Sequence, residues 1–326
     1  MNGAKNGTLA TSDLRLVLGG IKSFVPSLSR STGTGGTVDP RYCYAVWLRH
    51  LHMITAAGID PVRETVVELG PGDSIGTGFA ALLTTSERYI ALDVVPHAAA
   101  VVQATLLDAV ADMLRRQVSI PDATAFPNLF PRLADYRFPA QILPASRLAE
   151  TLRPERVDEL RAAIDGMSKN DGTSRIGYAC PWTAESVRRG SADLVFSQAA
   201  LQEIDNPGAN GALRRTFAAM AQWLKPGGII SHQVDLGMYG AEPWDRHWTY
   251  SDATWALIRG RRPNYINRQP LSAYEGLCRE FGFDIARLDV VEQDIATPTS
   301  ELAVGFRTLS QRDRTARAVH IVAVKR

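Results

Sequence analysis

The stretch Glu68-Leu69-Gly70-Pro71-Gly72-Asp73-Ser74 has the residue types and spacing that point most directly to chemistry. It follows an apolar run, Val66-Val67, and precedes a second one. Glycine has no Cβ, so such a turn lets the backbone approach a ligand closely. A helix starting just after it would offer unpaired N–H groups and a positive dipole end. Both a pyrophosphate and an amino-acid carboxylate suit that environment. Glu68, two residues before Gly70, is placed to accept a hydrogen bond from a ligand ammonium. Asp93 ends the next apolar run, 93 − 70 = 23 residues beyond Gly70. An acid there can bind both hydroxyls of a ribose, with Val94 beside it.

A second group could act on a reacting partner. Ala192–Ser197 (ADLVFS) reads as a short buried strand, followed by Gln198, Gln202 and Glu203. Gln198 could line a reaction site and Glu203 could face an acceptor; a solvated helix start with Glu203 exposed is the competing reading. Gly228–Val234 reads as the next strand, after the turn Pro226-Gly227-Gly228. On it, His232 and Val234 share one side while Ser231, Gln233 and Asp235 share the other. His232 has a near-neutral intrinsic pKa and is a candidate general base, with Glu203 and Asp235 as the other catalytic candidates. A purely structural strand histidine remains open. Tyr239, Trp244, His247, Trp248, Tyr250 and Trp255 follow, then Arg259, Arg261, Arg262 and Arg268. Aromatic faces with arginine forks suit a sugar or an anion; a helical lid packing its own aromatics is the alternative.

The elements that must position these residues alternate. Strands are expected at 65–69, 89–93, 176–178, 192–197, 228–234, 283–291 and 318–324, with helices at 74–83, 97–118, 211–224 and 271–281. That rhythm predicts an α/β fold with a mostly parallel sheet covered on both faces. Residues 1–60 read as an N-terminal extension and helical cap: a disordered start, a mixed helix over 13–28, a Gly-rich linker at 31–36 and a helix over 40–57. The 13–28 segment fits either a helix packed on the domain or one making peripheral membrane contact. Residues 61–326 form the main domain, with insertions at 121–171 and 236–269, lengths typical of lids and substrate sites.

Composition narrows the class. The 326 residues hold 36 Lys+Arg against 34 Asp+Glu, which argues against nucleic-acid binding driven by bulk charge. Cys43, Cys180 and Cys278 are far apart, so neither a disulfide framework nor a metal site is expected, and a cytoplasmic setting fits. No apolar run approaches the roughly 18 residues of a membrane span, and Met1–Thr11 lacks the apolar core of a secretion signal. A homodimer is compatible with all of this.

Taken in order, ExGxG at 68–72, the terminal acid Asp93, DLVFS at 193–197 and LKPGG at 224–228 resemble the class I methyltransferases dependent on S-adenosylmethionine (SAM). The resemblance covers about 65–234. It implies a Rossmann-like seven-stranded methyltransferase sheet, mostly parallel with an antiparallel last strand, plus helical insertions. It further implies that Glu68, Gly70 and Gly72 surround the methionine part of SAM, with Pro71, Asp73 and Ser74 in the same loop. Asp93 would bind the ribose, beside Val94. Trp182 falls where the family usually contacts adenine, stacking there or packing in the core; Ser197 and Gln198 fall near the methyl site. Two departures stand out: Ser74 where a third glycine is common, and Leu201-Gln202-Glu203-Ile204 where many relatives carry Leu-Glu-His. The strings YCYAVWLRH, ELGPGDSIGTGFAALL, SHQVDL and NRQPLSAYEGL are also similar to a little-characterised bacterial methyltransferase group associated with carbohydrate and surface-polysaccharide genes. The implied function is methyl transfer from SAM to a hydroxyl of a small-molecule or carbohydrate acceptor. An NAD-dependent oxidoreductase and a non-catalytic SAM-binding scaffold subunit remain alternatives; Gly70-x-Gly72-x-x-x-Gly76 misses the dinucleotide spacing by one residue.

Overall fold

Val66 and Val67 are neighbours in the chain, and both are fully buried. A strand with two buried faces needs cover on each side, and that requirement shapes the whole chain. The computed structural model describes residues 11–24, 36–96, 100–167, 174–204, 211–238, 242–262 and 265–326. The N-terminal helices are α1 (Thr11–Lys22) and α2 (Pro40–Ala56). They lead to β1 (Thr65–Leu69), α3 (Gly76–Leu82), β2 (Arg88–Leu92) and α4 (Ala100–Arg115). Next come α5 (Ala145–Thr151), α6 (Pro154–Gly166), β3 (Ile176–Ala179), β4 (Ala192–Gln198) and α7 (Ala212–Trp223). The chain closes with β5 (Leu224–Asp235), α8 (Asp252–Arg259), α9 (Leu271–Glu280), β6 (Phe283–Glu292), α10 (Gln311–Thr315) and β7 (Ala316–Lys325).

The seven strands form one sheet in the order β3-β2-β1-β4-β5-β7-β6. The first five run parallel, and β7 pairs antiparallel with both β5 and β6. This is the mostly parallel sheet with an antiparallel last strand that the sequence implied. Side chains alternate between two cores. Val66, Tyr89, Leu194, Phe196 and Ile229 pack with α2, α3 and α4, whereas Val67, Ile90, Val195, Ile230 and Val234 pack with α7 and α9.

Sequence expectation and structure differ at several ends. The helix after the glycine turn starts at Gly76 rather than Ser74, because the Ser74 hydroxyl accepts from the Gly76 N–H (3.1 Å) and so precedes the first turn. β5 begins at Leu224: Leu224 pairs with Ala192 before the Lys225–Gly228 bulge, and regular pairing resumes at Ile229. Asp193 accepts from the Thr65 N–H and pairs with Lys225 at 2.8 Å. Two of the recognisable motif residues therefore tie strand starts together, at the sheet edge away from the carboxyl ends. Residues 1–10 of the expected disordered start (1–11), 31–35 of the expected linker (31–36), 97–99 of the helix expected over 97–118, and Tyr239 lie outside the described residues. Among the described residues no helix is long and apolar enough to cross a membrane.

Helix α2 is the central cover. Asp39 caps it through the Arg41 N–H (2.8 Å), with Pro40 pre-set in the first turn. Its Arg49 is fully buried and donates to the carbonyls of Ala45 (3.1 Å), Pro121 (2.8 Å) and Pro131 (3.2 Å). One side chain thus pins both ends of the Pro-rich part of the first insertion. Arg49→Met should lower stability by about 3 kcal/mol, since it strips buried carbonyls of their donor. Thermal unfolding reads this, and limited proteolysis should accelerate within 121–144; unchanged cleavage there would show that the segment is held by something else.

Candidate functional site

The chain reverses its direction of winding between β1 and β4, and the strand carboxyl ends open there. Ligands of open α/β sheets bind at such a switch point. A cavity of about 1050 Å³ occupies it, bounded by the β1, β2, β4 and β5 ends and by the start of β7. Its size is at the upper end of the ~300–1,000 Å³ usual for ligand sites.

Gly70 and Gly72 both line the cavity with φ near +70° (70° and 74°), a conformation glycine adopts without strain. Pro71 lines it between them. The rest of the loop is turned away and used internally. The Asp73 N–H donates to Thr37 Oγ1 (2.8 Å), and the Ser74 hydroxyl donates to the Thr37 carbonyl. The Ile75 N–H donates to Gln103 Oε1 (3.0 Å). The expectation that the following helix presents unpaired N–H groups therefore needs correction at Asp73, Ile75 and Gly76. Their donors are satisfied within the protein, and neither Asp73 nor Ser74 reaches the cavity wall.

What the cavity presents instead is acid. Among the described residues five carboxylates line the cavity, those of Glu68, Asp93, Glu203, Asp235 and Glu242, against a single basic side chain, Arg317. Glu68 is buried and accepts from the Tyr89 hydroxyl; burial pushes its carboxyl up to about 8, Tyr89 opposes the shift and nearby Asp93 adds to it. Asp93 is fixed by its own loop, Oδ1 accepting from the N–H groups of Val94 (2.6 Å) and Val95 (3.2 Å). Val94 is an exposed lip of the cavity. Trp182 lines the cavity and also packs edge-on against Trp223 at 5.4 Å.

Alternation along β4 and β5 sorts the remaining candidates. Ser197 and His232 face the core opposite the cavity. His232 is 1% exposed, with Nδ1 2.8 Å from Ser197 Oγ and Nε2 3.2 Å from Met220 Sδ, and burial lowers its pKa to about 3. Neither residue lines the cavity, so His232 is not placed to take a proton from anything bound there. Gln198, Gln233 and Asp235 lie on the other face and do line it. Gln198 Nε2 donates to the Phe130 carbonyl (3.1 Å) and to Gln233 Oε1 (2.9 Å), and Gln233 Nε2 donates to Asp235 Oδ1 (3.0 Å). Behind Gln198 stands a buried polar column, His50 Nδ1 at 2.7 Å from Ser231 Oγ and His320 Nε2 at 3.0 Å from the same oxygen. Desolvation raises the Asp235 pKa while Gln233 and Arg317 oppose it. Glu203 sits on a short 3-10 turn and is pushed up to about 7 by burial, with Asp235 and Asp93 adding to the rise and Arg259 opposing it.

That turn is held from the second insertion. Asn267 Nδ2 donates to the carbonyls of Leu201 (3.1 Å) and Ile204 (2.6 Å), and Arg259 donates to the Glu203 carbonyl (3.0 Å). Trp255 packs against Tyr250 and Tyr265, and Arg268 lies between Trp255 and Phe306. The aromatic insertion is thus mainly a self-packed buttress; Met238, Glu242 and Trp244 are its cavity residues. Sequence reasoning did not single out Tyr42, Phe126–Phe130 or Arg317, which also line the cavity. The prolines at 121, 127 and 131 were the available signal for Phe126–Phe130. Nothing local marked Arg317.

No family model matches the chain, and no curated protein does. Solved structures similar to it are methyltransferases. A chain of the Haloferax volcanii complex between the Trm112 methyltransferase activator and a methyltransferase is 18% identical, with 89% of this chain and 95% of that one covered and a TM-score of 0.39. The Haemonchus contortus phosphoethanolamine N-methyltransferase 2 with bound SAM is 15% identical, over 86% of this chain but 52% of that one, with a TM-score of 0.40. A SAM-dependent methyltransferase from Methanosarcina mazei is 12% identical, over 83% and 96% of the two chains, at 0.42.

Gly70 is closely packed, because a Cβ there would come 2.8 Å from Ala200 Cβ. Gly190 has a similar φ of +61° but nothing within 4 Å of an added Cβ. Gly70→Ala should therefore cost more stability than Gly190→Ala, by about 1–3 kcal/mol as for an overpacked site. Chemical denaturation of the two variants measures the difference, and equal losses would mean that the contact with Ala200 is soft.

Proposed function

We propose that the cavity binds SAM and that the protein transfers its methyl group to a small-molecule or glycan acceptor, at a hydroxyl. The observation that carries this reading is the acidic lining of the cavity, five carboxyl groups against one arginine. A ligand bearing a sulfonium and an ammonium favours their ionised forms and offsets the charge that then develops. A dinucleotide brings a pyrophosphate, which would meet these carboxylates while the N–H groups of Ile75 and Gly76 are already used. The NAD-dependent alternative is disfavoured on that ground.

The chain's residues fit such a ligand part by part. Glu68 accepts from the ammonium, Asp93 from the ribose hydroxyls, and Trp182 and Val94 flank the base. Gly70, Pro71 and Gly72 leave room for the methionine chain. When bound, the cofactor supplies an electrophilic methyl group on a positively charged sulfur. Gln198, held from both sides, keeps its end of β4 fixed beside the reacting partner. Glu203, with a proton affinity near neutral, takes the proton of the acceptor hydroxyl, and Asp235 orients the acceptor through its second oxygen. Self-packed aromatics and the Phe126–Phe130 segment limit water.

Isothermal calorimetry with SAM and S-adenosylhomocysteine tests the reading, and absence of binding to the folded protein would sink it. Glu68→Ala and Asp93→Ala should each weaken binding at least about tenfold, or roughly 1.4 kcal/mol. Tight binding without transfer of labelled methyl to any small-molecule or glycan extract would favour the scaffold alternative.

Binding should also depend on pH in a defined direction. Free Glu68, raised to about 8, holds its proton at neutral pH, and a bound ammonium favours its ionised form. The free protein then carries one more proton than the complex, so affinity strengthens as pH rises toward 8. The slope approaches about tenfold per pH unit below that value. Glu68→Gln should flatten it; an unchanged slope in that variant would assign the proton to another carboxylate.

A further inference from the structure

Among the described residues nine large apolar side chains are exposed, and five of them (Leu14, Leu18, Ile21, Phe24 and Leu257) belong to α1, its C-terminal end and α8. Leu14, Leu18 and Ile21 follow the i, i+4, i+7 spacing that makes one helix face. Scattered apolar residues need no explanation, but a contiguous patch marks an interaction surface.

Helix α1 is held rigidly in this position. Gly20 packs so closely on α8 that an added Cβ would come 1.9 Å from the Leu257 carbonyl oxygen, and Gly260 meets Gly20 in the same way. Val17 is buried against Trp255 and Ile258 in one cluster. Asp13, the one acid of α1, accepts from Arg246 Nη2 (2.5 Å) and the Tyr250 hydroxyl (2.6 Å). The exposed cations beside the apolar stripe are Arg15, Lys22 and Arg261, the last lying 5.4 Å from the Phe24 ring centre, and the exposed acid at the start of α8, Asp252, pairs with Arg268. On the helix, Arg15 and Lys22 fall together along one flank of the stripe.

We infer that this face docks on the surface of a membrane containing anionic lipid. The stripe supplies a shallow apolar contact, and the three cations meet the phosphate headgroups. A single short stripe binds weakly by itself, so the electrostatic part decides. The contact is peripheral, since no described helix can span a bilayer. It does not depend on what the cavity binds.

Flotation of the full chain with vesicles tests it. Vesicles of equimolar phosphatidylcholine and phosphatidylglycerol should carry the protein up, vesicles of phosphatidylcholine alone should not, and high salt should release it. Arg15→Gln with Lys22→Gln should weaken partitioning roughly twentyfold, and Leu18→Glu with Ile21→Glu should abolish it. Circular dichroism and S-adenosylhomocysteine affinity should stay unchanged in both variants, which separates this surface from the cavity. No flotation, equal flotation with neutral lipid, or indifference to the lost cations would overturn the inference. Self-association in sedimentation velocity that Leu18→Glu removes would do the same, by assigning the face to a second copy.

Discussion

Desolvation of carboxyl groups gathered in one cavity, with mutual repulsion adding to it, is the constraint on which the rest of the structure depends. Glu68, Glu203 and Asp235 are all shifted toward their neutral forms by burial, and Asp93 or Asp235 adds to the shift of two of them. A chain gains nothing by gathering such groups unless other interactions hold them together. Two apolar cores, one on each face of the sheet, supply the stability that offsets this cost. The result is a cavity lined with carboxyl groups that burial holds toward their neutral forms.

Four of the five acids are each held by a different device, and none of the devices is in the glycine turn itself. Tyr89, from the neighbouring strand, steadies Glu68. The backbone of its own loop steadies Asp93. The relay from Gln198 through Gln233 steadies Asp235, and it is anchored at Phe130 in the first insertion. Glu203 stands on a turn whose carbonyls are taken by Asn267 and Arg259 from the second insertion. Both insertions therefore serve the site mainly by bracing it.

Much of this was legible in the chain. The alternation of apolar runs with helical stretches gave the strand and helix order, because burial on two faces leaves continuous apolar strands. Glu68, Gly70, Gly72, Asp93, Gln198, Glu203 and Asp235 were all marked by position at strand ends, and all line one cavity. The period-two argument on β5 separated His232 from Asp235 correctly, yet it could not say which face was open. Only the packing of α7 on one side and α2 on the other decided that, and it enclosed the histidine. Ser74 and Asp73 looked like ligand contacts because the loop is local. Their partner, Thr37, lies more than thirty residues away in the sequence.

By itself the sequence determined what depends on near neighbours: strand and helix periodicity, the glycine turn with positive φ, and the acids that end successive strands. Spacing along one chain is enough for these, since each is set by the local backbone path. The tertiary structure decided what depends on distant segments meeting. It satisfied the helix N–H groups internally, turned the aromatic insertion inward, and brought Arg317 and Phe126–Phe130 to the cavity. It also gathered five carboxylates from four separate stretches into one space. Desolvation and Coulomb repulsion depend on distance in space, so the property that most defines this site is absent from any single stretch of the chain.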